Sequence, residues 1–291
     1  MSLLLKIKSY IHKEWYHLKR KSLRRNIKKR YGQSDDDDVR LVMEFLDNHP
    51  KLSLPLGMSP PYEWTKEYRA EDIVVKKDQK RNLLYVAING RKVFFPRKET
   101  LQEIQKSVRI GLMEQDARSP HSYISNKFQI DQGDIGVFIG ASDGLFCLSI
   151  LDRLSKAYLF EPAPHWIEPL QATFEPWCDK VEIVPLTVGR NSNNGQISLD
   201  DYFKDKTPPN FIQVDVDGGD WDVLQGALSI LEKANKIRLS HCTYHKRLDF
   251  PRFSSYLKKL GYEINHSPGY FLIGVRMPYL RRGVLYASKL K

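Results

Sequence analysis

From residue 133 onward, apolar runs recur with helical patterns between them, and this alternation restricts the fold more than any other feature of the chain. The runs lie at 135–140, 157–160, 181–188, 211–216 and 236–243. Each has the length of a buried strand. Between them, Trp221, Leu224, Leu228 and Leu231 of "GDWDVLQGALSILEK" share one helical face, as do Phe253, Leu257 and Leu260 further on. "GYEINHSPGYFLIGVR" predicts two closing strands around a Pro-Gly turn. Strands alternating with helices form a mainly parallel, doubly wound α/β sheet with helices on both faces. Ligands of such a sheet bind beyond the carboxyl ends of its strands.

The first hundred residues follow other rules. Leu4, Ile7, Ile11, Trp15 and Leu18 recur at steps of three and four, so residues 1–31 are expected to form a basic amphipathic helix. Gly32 ends it, and Ser34 or Asp35 is expected to cap the next helix, whose first turn is acidic. After the proline-rich "LSLPLGMSPPYEW", Asn89-Gly90 inside "LLYVAINGRKVFFPR" marks a β-hairpin. The division expected is therefore a helix at 1–31, an accessory helix and hairpin region at 32–105, and the alternating α/β domain at 106–291.

Charge narrows the partners. The chain carries +11, and residues 1–30 hold eleven Lys/Arg against Glu14, leaving about +1 on the remaining 261 residues by subtraction. A nucleic-acid enzyme spreads basic surface over its working domain, so nucleic acid is not the expected substrate. The basic helix has three other uses: peripheral contact with an anionic membrane, cover for the protein's own body, or contact with a second copy in a homo-oligomer. No stretch has the length of a membrane span. Cys147, Cys178 and Cys242 lie far apart, which suits a reducing, cytoplasmic location.

Three stretches carry chemistry. In "GDIGVFIGASDGLF", the loop Gly140, Ala141, Ser142, Asp143, Gly144 lets a ligand approach the backbone at the start of a helix. It is not GxGxxG, and an ordinary strand–helix turn is the alternative. Glu161 follows Gly140 by twenty-one residues at the end of an apolar run, where a ribose is gripped. Together they favour an adenosine-containing cofactor. Tyr123/Lys127 and Tyr202/Lys206 match the Tyr-x-x-x-Lys spacing of short-chain dehydrogenases but lie at unsuitable distances from the loop, so both read as chance. Asp215 and Asp217 end the fourth predicted strand, and His241 and His245 end the fifth. One of these histidines with an aspartate would serve as a general base. Asp215 could equally hold the cofactor or cap a helix, and a histidine could be a core residue. The His-x-x-x-His spacing does not by itself predict a metal.

In order and spacing, "FEPAP", "ISLDDYF" and "VDVDGGDWDVLQGA" resemble FkbM-type S-adenosylmethionine-dependent methyltransferases. "EQDARSPHSY" and "PYLRRGVLYASK" resemble one bacterial branch of them. The resemblance spans roughly 70–290. It implies a Rossmann-like methyltransferase fold, S-adenosylmethionine as cofactor, and O-methylation of a hydroxyl on a glycan or other small-molecule acceptor. Cofactor binding would fall to Gly140, Ala141, Ser142, Asp143, Gly144, Glu161, Pro162 and Asp215, and catalysis to His245, Asp217 and Asp215. Three positions depart from the family pattern. Phe138 stands where the cofactor loop usually carries an acid, and Asp217 and Asp220 stand where Glu is usual. A catalytically inactive binding or scaffold protein, marked by Phe138, is the main alternative. A nucleic-acid methyltransferase guided by the basic helix is the second.

Overall fold

A seven-stranded sheet organises the computed structural model, which describes residues 22–52, 58–273, 277 and 279–290. Its strands are β1 Asp134–Ile139, β2 Leu154–Phe160, β3 Val181–Val184, β4 Phe211–Val214, β5 Lys236–Cys242, β6 Glu263–His266 and β7 Val284–Leu290. They lie in the order β6-β7-β5-β4-β1-β2-β3. Strands β3, β2, β1, β4 and β5 are parallel, and β7 is antiparallel to both β5 and β6. The chain winds outward from β1 through β2 to β3, then returns to place β4 on the other side of β1. This reversal opens a crevice at the carboxyl ends of β1 and β4, the position a doubly wound sheet offers to a ligand.

Alternation along each strand builds two cores. Phe138, Leu159 and Phe211 face a layer that holds Ile104, Val108 and Phe146. Val137, Ile139, Phe160, Ile212 and Val214 face another with Val223, Leu231, Phe253 and Leu257. Burial on both faces explains the unbroken apolar stretches Val137–Ile139 and Ala157–Phe160.

The hairpin forms as expected: Leu83–Ile88 pairs with Arg91–Phe94, and Asn89 and Gly90 take φ of +49° and +79°, as a two-residue turn of this kind requires. Its Val86, Val93 and Phe95 enter the same core as Phe138. The boundary expected at 105/106 needs correcting, because it cuts the helix Leu101–Glu114. Thr100 and Glu103 form a capping box that starts this helix at Leu101.

Other expectations change in detail. The cap of the helix Asp37–Asn48 is Asp36, whose Oδ1 accepts the N–H groups of Asp38 and Val39. The single helix expected after residue 218 is two, Asp220–Gly226 and Leu228–Lys233. Gly226 packs so closely on Gly189 that a Cβ would lie 2.0 Å from its carbonyl oxygen. The carboxylate of Asp200 accepts the Ser229 and Ile230 N–H groups and so starts the second helix. The two strands around Pro268-Gly269 do not pair with each other. β6 joins β7, while Phe271–Ile273 joins Met58–Ser59 and Leu280–Arg281 in a small separate sheet.

The Leu4–Leu18 stripe lies outside the described residues. Helical residues 22–31 bury Leu23 and Ile27 against Val39, Val42, Leu46, Leu272 and Leu280.

Candidate functional site

Gly140 ends β1 with φ +78°, and a Cβ there would lie 2.0 Å from the carbonyl oxygen of Asp215, at the end of β4. Only glycine lets the two strand ends pass so closely. Gly144 closes the loop with φ +74°, pressed against the Phe174 ring. Glu161, just beyond β2, is buried: Oε2 accepts the Ser142 N–H at 2.8 Å and Oε1 the Ala163 N–H at 2.9 Å. The acid expected to grip a ribose fixes the glycine loop, and each of its oxygens retains acceptor capacity.

A cavity opens between this loop, the helix Leu101–Glu114 and Asp215. Its wall includes Gly140, Ala141, Ser142, Asp143 and Gly144, together with Glu114, Gln115 and Tyr123. Glu161 and Pro162 stand outside this wall. Three carboxylates line the cavity, those of Glu114, Asp143 and Asp215, with no lysine, arginine or histidine among the lining residues. Burial pushes Asp143 up to about 6, although the Leu145 N–H bonded to its Oδ1 pulls the other way. Burial raises Glu114 as well, against the opposing charge of His121.

Phe138, at the expected place of the loop acid, is a core residue. It is 1% exposed, and its ring centroid lies 5.9 Å from that of Phe146 and 6.2 Å from that of Phe211.

Asp215 is the centre of the site. Tyr123 donates to its Oδ2 at 2.7 Å and Tyr244 to its Oδ1 at 3.0 Å. His121 Nε2 lies 3.3 Å from Oδ2 and His245 Nε2 3.5 Å from Oδ1. Burial would raise this carboxyl, but His121, Tyr123 and His245 together hold it well below the usual range. His245 Nδ1 is 3.1 Å from Oδ2 of buried Asp220, and Nε2 is 3.6 Å from the fully exposed Asp217. Its pKa is raised: burial works against the charged form, and Asp220, Asp215 and Asp217 outweigh it. Three of the expected groups, Asp215, Asp217 and His245, therefore meet. His241 does not join them. It is fully buried, turned toward the carbonyls of Cys242 and Asp220, and packs on Phe253.

Sequence reasoning missed His121, Tyr123, Tyr244 and Glu114. The first two and Glu114 lie within "EQDARSPHSY", where resemblance is the only sequence signal, and Tyr123 sits in a Tyr-x-x-x-Lys spacing that reads as chance. Donor atoms of His121, Asp215 and Cys242 fall within 4.8 Å of one another. Hydrogen bonds among themselves and to the two phenols account for this closeness.

His121 is fully buried, and Glu114, Asp215, Tyr123, Tyr244 and Cys242 face it. Burial alone would lower its pKa, yet the carboxylates of Glu114 and Asp215 lift it to about 9. A histidine raised on folding contributes stability that is complete below its unfolded pKa, about 6.5, and is lost as pH rises through its folded value. The urea midpoint is expected to fall between pH 6.5 and 9, and to fall less in His121→Gln. Equal pH dependence in both proteins would refute the assignment.

Residues 192–264 match the family model of the Methyltransferase FkbM domain. No curated protein matches the chain. Among solved structures, a methyltransferase FkbM from Methylobacillus flagellatus KT is similar at 14% identity, covering 87% of this chain and 71% of its own, with a TM-score of 0.46. An rRNA methylase from Streptococcus thermophilus is similar at 15% identity over 56% of this chain and 90% of its own, with a TM-score of 0.40. A candidate methyltransferase from Streptococcus mutans, solved in complex with SAH, matches at 13% identity over 55% of this chain and 91% of its own, with a TM-score of 0.39.

Proposed function

From the match of residues 192–264 to the Methyltransferase FkbM domain, we propose that the chain is an FkbM-type methyltransferase that methylates a hydroxyl group of a glycan or other small molecule, using S-adenosylmethionine. The observation that carries this reading is the crevice between β1 and β4, where three carboxylates and no basic residue line a cavity floored by the glycine loop. Such a lining suits a ligand whose reacting end is cationic, and S-adenosylmethionine carries both a sulfonium and an ammonium group. The donor set fits the cofactor. When bound, it supplies an electrophilic methyl group.

The protein's own work is placement and proton removal. Glu161 and the loop 140–144 would hold the nucleoside, and Asp215 would fix the geometry beside it; in-line displacement depends chiefly on such positioning. Asp220 engages His245 Nδ1, which leaves Nε2 to take the acceptor's hydroxyl proton, while Asp215 and Asp217 stabilise the imidazolium that forms. Phe138 is explained by its packing, so it does not favour the inactive alternative. Incubation of the protein with methyl-labelled S-adenosylmethionine and a fractionated cell extract tests the acceptor class. Label is expected in glycans or small hydroxyl compounds. Label confined to ribonuclease-sensitive material would overturn that choice.

We also infer that residues 1–31 attach the enzyme to an anionic membrane surface. Support comes from the segment's charge, and from Arg25, Lys28, Lys29 and Arg30 being exposed while Leu23 and Ile27 are buried. No helix among the described residues is long and apolar enough to cross a membrane. Basic residues near such a surface contribute about 1 kcal/mol each. Anionic vesicles should therefore sediment the full chain at low salt, but not a chain that begins at Gly32. Equal sedimentation of the two would leave the segment without this role.

A further inference from the structure

We propose that Glu114 replaces the absent loop acid and receives the α-ammonium group of the donor's methionyl chain. This rests on the reading of the β1–β4 cavity as the donor's pocket. The loop acid's place is filled by Phe138, whose ring is committed to the core with Phe146 and Phe211, so a cationic group there needs another partner.

Hydrogen bonding among the acids singles out Glu114. Both oxygens of Asp215 are engaged by Tyr123 and Tyr244. Asp143 Oδ1 accepts the Leu145 N–H, which ties that side chain to the start of the next helix. The oxygens of Glu161 hold Ser142 and Ala163 from outside the cavity wall. Glu114 lines the cavity, and no described residue donates a hydrogen bond to it. His121 faces it electrostatically without such a bond.

The location is costly for an acid on its own. Glu114 is the last residue of the helix Leu101–Glu114, whose final turn has no basic residue. The carboxyl end of a helix carries partial negative charge, so it repels a carboxylate and attracts a cation. Partial burial and the nearby charge of Asp215 add to the cost. A positively charged ligand relieves all three at once. The next residue completes the match to an amino-acid end. Gln115 lines the same cavity, and its Oε1 accepts the Tyr123 N–H, which leaves its amide N–H groups for a carboxylate.

Calorimetry on the full chain with two probes tests this. S-adenosylhomocysteine has the ammonium group, and 5′-methylthioadenosine lacks the whole amino-acid end. Glu114→Gln should bind S-adenosylhomocysteine about tenfold or more weakly, the range for loss of a charge-assisted hydrogen bond. It should bind 5′-methylthioadenosine as the wild type does, which also shows that the pocket is intact. Unchanged affinity for S-adenosylhomocysteine in Glu114→Gln would overturn the assignment. So would equal loss for both probes, because the effect would then not depend on the ammonium group. If the wild type binds neither probe, the donor reading of the cavity fails, and this inference fails with it.

Discussion

Replacing His245 with alanine should lower methyl transfer by about 10²–10⁴, the usual cost of losing a general base, and leave S-adenosylhomocysteine affinity within about twofold. The two readouts separate because His245 is not among the residues lining the β1–β4 cavity. Its Nδ1 lies 3.1 Å from Asp220 and its Nε2 3.5 Å from Asp215. Its raised pKa sets the pH dependence. The base works unprotonated, so turnover should climb as pH rises through a value above the ordinary 6.5 of histidine, and this limb should vanish in His245→Ala. Turnover within a few-fold of wild type would mean that positioning suffices and the proton leaves by another route.

The second large effect is on folding. Phe138→Asp places an acid where the resemblance expects one, and because Phe138 also contributes to the cavity wall, tighter donor binding would follow if the core did not need its ring. The structure predicts the opposite. Phe138 is 1% exposed among Phe146, Phe211 and their neighbours. Emptying a phenylalanine site costs about 3–5 kcal/mol, and a carboxyl buried without a partner adds to it. Against a typical total of about 5–15 kcal/mol, the variant should lose most of its stability, seen as a large fall in urea midpoint or as insoluble expression. Phe138→Leu should be much milder. A folded Phe138→Asp with wild-type midpoint and tighter S-adenosylhomocysteine binding would show the position to belong to the cofactor after all.

What could be read beforehand has a physical pattern. The central strands were legible because burial on both faces leaves dense apolar stretches such as Val137–Ile139 and Ala157–Phe160, and Val181–Val184 because three of its four residues are apolar. β7 was not, although it is equally buried through Ala287. It follows "PYLRR" with no helical segment to frame it, and its pairing with both β5 and β6 is decided by the sheet. The break at Ala227 was hidden because Trp221, Leu224, Leu228 and Leu231 keep helical spacing across it, while the cause lies in Asp200 and Gly189.

The site divides in the same way. The positions of Gly140, Asp215, Asp217 and His245 were legible because a strand end fixes where a residue must lie. Glu114, His121 and Tyr123 come from the end of a helix and an irregular segment before β1. Tertiary contacts set that path, among them the Ser240 and Ser267 hydroxyls donating to the Tyr123 and Pro120 carbonyls. No periodicity records such contacts. The place of Glu161 just beyond β2 was legible, yet its hold on the Ser142 amide depends on the loop's fold.

The central claim is that the acidic crevice between β1 and β4 binds a cationic sulfonium donor, and titration calorimetry of the full chain with S-adenosylmethionine and S-adenosylhomocysteine tests it most directly. The account predicts saturable binding of both at one site per chain, with a dissociation constant below about 1 mM, and weaker binding when Gly140 is replaced by alanine. No heat of binding with either compound up to millimolar concentration, from a protein shown to be folded, would contradict it.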